Sequence, residues 1–101
     1  MIEYYIKNQK NITSENLDLV SIVTKRSKKT NAYSFAAINK TDEEVEVELD
    51  LTKSSGLLFT PTKGKSTVNV PPKAIVYIAS AIPDPDSEDY SLEFDVNEET
   101  L

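Results

Sequence analysis

The sequence predicts an all-β protein: a single antiparallel β-sandwich of about seven to eight strands with Greek-key-like connections. Three observations carry that expectation. Residues 44–51 alternate acidic and apolar side chains without a break. Only a period of two puts Val45, Val47, Leu49 and Leu51 on one face and Glu44, Glu46, Glu48 and Asp50 on the other. Strand-like runs recur between turn signals at roughly eight- to twelve-residue spacing, and no stretch carries a convincing helical period.

The chain begins with a small apolar group, Ile2, Tyr4, Tyr5 and Ile6, so residues 1–16 are read as an N-terminal extension or an added edge strand. Residues 17–24 are rich in β-branched side chains and apolar on both faces, which suits a central strand. Residues 25–31 have no apolar side chain and read as an exposed connection. Residues 32–39 return to strand, and the polar turn at 40–43 is expected to fold them as a hairpin onto 44–51. The small Ala36 and Ala37 leave room for something bulky. After a turn ending in Gly56 come a short strand at 57–60, stopped by Pro61, and a second at 66–70, stopped by Pro71 and Pro72.

Residues 74–82 are the most apolar run and are expected at the centre of a sheet with both faces covered. A buried helix competes there, but β-branched residues and bracketing prolines favour a strand. An acidic loop follows, then residues 90–96 alternate again, with Tyr90, Leu92, Phe94 and Val96 inward. The sandwich is thus placed at 17–96, with 97–101 a frayed acidic tail. Like charges facing each other across a ladder cost roughly 0.2–1 kcal/mol. The two acid-faced strands, 44–51 and 90–96, are therefore not expected to be neighbours.

With 39 % hydrophobic and 28 % charged residues the chain is an ordinary globular composition rather than a disordered one, and no apolar run is long enough for a membrane helix. The absence of histidine and cysteine removes imidazole, thiol and disulfide chemistry. The N-terminus has no secretory pattern, so a cytoplasmic location is expected. For the same reason the Asn-x-Thr matches at Asn11 and Asn39 read as chance rather than glycosylation sites. Charge runs along a gradient: residues 1–40 hold seven basic and three acidic groups, and residues 83–101 hold none and eight.

Two clusters are candidate sites. Asp84, Asp86, Glu88 and Asp89 offer the oxygen ligands calcium takes, although their spacing is not that of an EF-hand, and a solvated linker is the favoured reading of them. Lys25, Arg26, Lys28 and Lys29 could contact acidic protein tails or anionic lipid headgroups, or simply form an exposed hairpin loop. Nucleic acid is disfavoured because no aromatic residue is interleaved with the charges. The alternating carboxylates point to solvent rather than into a cleft, which argues against a carboxylate-pair enzyme.

Residues 33–39, then 44–51, then 68–78 resemble in order the calpain-type β-sandwich (domain III-like), including small non-catalytic calpain-related proteins of protists. A second resemblance, an Asn-x-Thr turn between strands and a proline-rich entry into a later one, is to immunoglobulin-like modules of the major-sperm-protein type in cilia and centrosomes. No protease core accompanies the module, so neither resemblance implies catalysis. Both imply a non-catalytic protein-interaction or scaffold module within a larger cytoplasmic assembly, cytoskeletal or ciliary. The alternative is a calcium- or anionic-lipid-responsive adaptor.

Overall fold

The computed structural model describes residues 12–101; the apolar group at residues 2–6 lies outside them. The described residues form eight strands: β1 (Ile12–Asn16), β2 (Val20–Arg26), β3 (Tyr33–Asn39), β4 (Val45–Asp50), β5 (Leu57–Thr60), β6 (Lys65–Val70), β7 (Ile75–Pro83) and β8 (Asp95–Thr100). They make two antiparallel sheets, one in the order β1-β2-β3-β7-β5 and the other β6-β4-β8. From β3 onward every connection crosses between the sheets, which is the interleaving a Greek-key-like sandwich requires and a meander lacks.

The core follows from the period-two faces. Val45, Val47 and Leu49 of β4 are fully buried and meet Val20, Ile22, Phe35, Ala37 and Ala81 of the facing sheet. Leu92, Phe94 and Val96 pack against this cluster as their alternation predicts, whereas Tyr90, expected inward with them, is exposed, and Phe94 sits edge-on to Phe35 with ring centroids 5.5 Å apart. Both faces of β2 are buried, with Val20 and Ile22 on the core side and Ser21 and Val23 on the other, as expected for an interior strand.

Four expectations need correction. Residues 32–39 do not form a hairpin with 44–51: β3 pairs with β2 and β7, and β4 lies in the opposite sheet. The reason is Asn39, only 1 % exposed at the end of β3. Its side-chain amide donates to the carbonyls of Glu43 (2.7 Å), Val70 (3.0 Å) and Pro71 (3.1 Å), while its oxygen accepts from the Thr41 backbone N–H and hydroxyl, both 2.8 Å. One residue thus ties the end of β3 to the start of β4 and the end of β6, and turns the chain into the second layer. Ala36, expected to admit something bulky, lies opposite Tyr77 of β7.

The acid-faced segments are neighbours after all. β4 pairs with β8, setting Glu46 opposite Glu99 and Asp50 opposite Asp95. Residues 97–100, expected to be a frayed tail, are most of that strand, whereas 90–94 precede it. A full ladder that places Val96 beside Leu49 outweighs repulsions of a few tenths of a kcal/mol. Lys53 also bridges Asp95 at 2.9 Å, and Lys65 stands 3.7 Å from Asp50. Glu98 adds a further tie. It lies on the inward face of β8, opposite Val47, and its carboxylate accepts from the backbone N–H groups of Leu19 (3.0 and 3.1 Å) and Val20 (3.0 Å) where the other sheet's β2 begins.

The fourth correction concerns β7. It is interior, between β3 and β5, but one of its faces is open: Ile75, Tyr77 and Ile82 are 41, 55 and 43 % exposed.

Candidate interaction surface

The open face of β7 continues onto the edge strand β5, where Leu58 is directly opposite Ile82 and is itself exposed. Ile75, Tyr77, Ile82 and Leu58 therefore form an apolar strip along the outer side of the five-stranded sheet, with Ser80 between, its hydroxyl 2.7 Å from that of Tyr77. Beside the strip, Ala32, Leu58, Thr60, Ser80, Ala81 and Ile82 line a shallow depression. Large apolar side chains that a small domain leaves in water are more often scattered singly than aligned on one face of a sheet.

The basic residues lie at the Ile82 end of the strip. Lys25 and Arg26 are the last two residues of β2 rather than loop, and Lys28 and Lys29 are exposed in the turn that follows. That turn closes a β2–β3 hairpin through Ser27 N–H to the Ala32 carbonyl (2.8 Å) and Asn31 N–H to the Ser27 carbonyl (2.9 Å), with Asn31 in the left-handed region at φ 59°. Arg26 spends its guanidinium on this geometry, donating to the Asn31 side chain at 2.6 Å. Lys28 and Lys29 are therefore the pair projected outward.

The acidic loop reaches the same end of the molecule. Tyr90, which closes the loop, stacks edge-on against Tyr33 at the start of β3, with hydroxyls 3.0 Å apart. That hydrogen bond, together with partial burial, raises the Tyr33 phenol above its ordinary value. Gly56, at φ 70°, carries the loop's other anchor: Asp84 N–H donates to its carbonyl at 2.9 Å, and a side chain added there would run into the Asp89 carbonyl oxygen. The four carboxylates do not converge. Asp84 accepts from the Asp86 backbone N–H at 2.9 Å, and among the described residues no three acidic side chains gather into a cation site.

The sequence reading found both charged loops but missed the strip, because a continuous apolar run looks the same whether a strand is covered on two faces or on one. The excess of apolar residues in 74–82 over what one face needs was the available signal.

Comparison of the chain with protein-family models, with curated proteins and with solved structures found no match.

Proposed function

We propose that this sandwich is a non-catalytic protein-interaction or scaffold module of a larger cytoplasmic assembly. The observation that carries the reading is the exposed strip of Ile75, Tyr77, Ile82 and Leu58 on the outer face of β7 and β5. Lys28 and Lys29 at its end favour a protein partner that pairs apolar side chains with acidic ones. The resemblance to calpain-type and major-sperm-protein-type sandwiches points the same way, and a cytoskeletal or ciliary assembly fits it.

An anionic membrane is the weaker reading. The loop bearing Asp84, Asp86, Glu88 and Asp89 lies at the same end as the lysines, and it would be pressed against the same negative surface.

The test is assembly, read by size. The chain expressed in its native source is expected to sediment in a complex, and Ile75→Ser with Tyr77→Ser is expected to release it as a monomer with an unchanged circular dichroism spectrum. A variant that stays in the complex refutes the reading. Binding of the released monomer to phosphatidylserine vesicles, in proportion to their anionic content, would shift the assignment to the lipid adaptor.

A further inference from the structure

The two sheets are unequal, five strands against three, and at one end the larger sheet overhangs the smaller at β1. Glu98 of β8 reaches the start of β2, and Phe94, just before β8, packs on Phe35 of β3, so β8 lies over the β2 side of the larger sheet and β1 extends beyond it. Along that overhang runs a groove of about 310 Å³ lined by Thr13, Ser14, Glu15, Ile22, Thr24 and Phe94. Thr13, Ser14, Glu15 and Asn16 of β1 are polar and exposed, and among the described residues no strand of the smaller sheet pairs with or lies beyond β8 on that side.

The edge bordering this groove is competent to accept a strand. Leu101 N–H donates to the Glu44 carbonyl at 3.0 Å, which fixes the alternation along β8. Asp95, Asn97 and Glu99 turn their backbone groups toward β4, and Val96, Glu98 and Thr100 turn theirs toward the open side. Among the described residues β8 is the terminal strand of its sheet and carries no lysine, proline or bulge, and its one inward-pointing charge, Glu98, is held by the Leu19 and Val20 N–H groups. Its exposed face is instead acidic, with Glu99 held opposite Glu46 and beside Asn97 and Glu48.

We infer that β8 takes up a fourth strand from a protein partner, an extended segment that alternates lysine or arginine with small apolar residues. Backbone hydrogen bonds to Val96, Glu98 and Thr100 give the strand its register. Its apolar side chains enter the groove over Ile22 and Phe94, and its basic side chains stand beside Asp95 and Glu99, where they relieve the like-charge pairing with β4. The site is separate from the strip on β7 and β5, and it does not depend on that strip being a docking surface.

The probe is a short synthetic peptide alternating lysine and valine, titrated into the full chain while backbone amides are followed by NMR. The expected result is slowed exchange of the Val96, Glu98 and Thr100 amides, and affinity about tenfold weaker for Asn97→Lys with Glu99→Lys, two exposed changes that leave the core alone. N-methylation of alternate peptide residues on the bonding side should abolish the effect.

Three outcomes overturn the inference. One is equal affinity for a peptide of the same composition with its lysines and valines in separate blocks, and another is protection that maps to the β5 edge. The third is β8 amides already protected in the free chain and exposed by deletion of residues 1–11, which would mean that the chain fills its own edge.

Discussion

Replacing Asn39 with alanine removes five hydrogen bonds from a position that is 1 % exposed. The carbonyls of Glu43 and Pro71 can recover water because they are only part-buried, and the buried Val70 carbonyl keeps its ladder bond from Val45, so three of the five bonds are lost without replacement. At about 0.5–1.5 kcal/mol net for each of the bonds to Val70 and to the Thr41 N–H and hydroxyl, the variant should lose about 3 kcal/mol. At about 4–8 °C per kcal/mol for a domain of this size, that is a fall of about 12–24 °C in Tm.

Asn39→Asp separates hydrogen bonding from packing, since it keeps the shape and the acceptor for Thr41 but turns a carboxylate on three carbonyl oxygens. Its folded pKa is raised, so the variant is least unstable below the ordinary aspartate range and loses stability as pH rises through the folded value. Urea unfolding followed by circular dichroism at acid and neutral pH measures both. Two variants within about 1 kcal/mol of wild type, or an aspartate variant with no extra pH dependence, would refute the assignment of Asn39 as the tie between the layers.

Glu98→Gln should cost about 1–2 kcal/mol and Glu98→Ala more, because a charge-assisted acceptor for two backbone N–H groups is weakened in one and deleted in the other; chemical denaturation reads the order, and its reversal would place the carboxylate outside the clamp. Gly56→Ala should destabilise by at least about 1–2 kcal/mol from the left-handed backbone alone, with added displacement of the Asp89 backbone visible as shifted amide resonances from residues 87–91. The Asp50 carboxyl is held below its usual range, chiefly by the Thr52 hydroxyl, then by the Thr52 backbone N–H and the Lys65 charge. A lowered folded value gives stability that is present above the ordinary carboxylate range, from about pH 4 upward, and lost as pH falls through the folded value. Thr52→Val should therefore flatten the acid limb of the stability–pH curve, and an unchanged limb would remove Asp50 from the account.

The strands themselves were legible because their signals are local: 44–51 announces its faces by a period of two, and 57–60 announces its end at Pro61, without help from the rest of the chain. Which strands pair was not legible, since a face pattern is satisfied by any partner that buries it. The like-charge argument failed at Asp50 and Asp95 for a matter of magnitude, a few tenths of a kcal/mol set against an entire ladder with Val96 in it. The clearest missed signal lay in plain view at Asn39-Lys40-Thr41. Its Asn-x-Thr spacing reads as a glycosylation match, but here it is an Asx turn, with the amide buried and fully engaged. Glu98 offered no signal at all, because one glutamate in an acidic tail is indistinguishable from its neighbours until the fold brings Leu19 and Val20 to it.

The proposal that this domain works as an interaction module is tested most directly by hydroxyl-radical footprinting of the native assembly beside the free chain. Ile75, Tyr77, Ile82 and Leu58 should be modified in the free chain, where they are exposed, and protected in the assembly. Equal modification of all four in both samples would contradict the account.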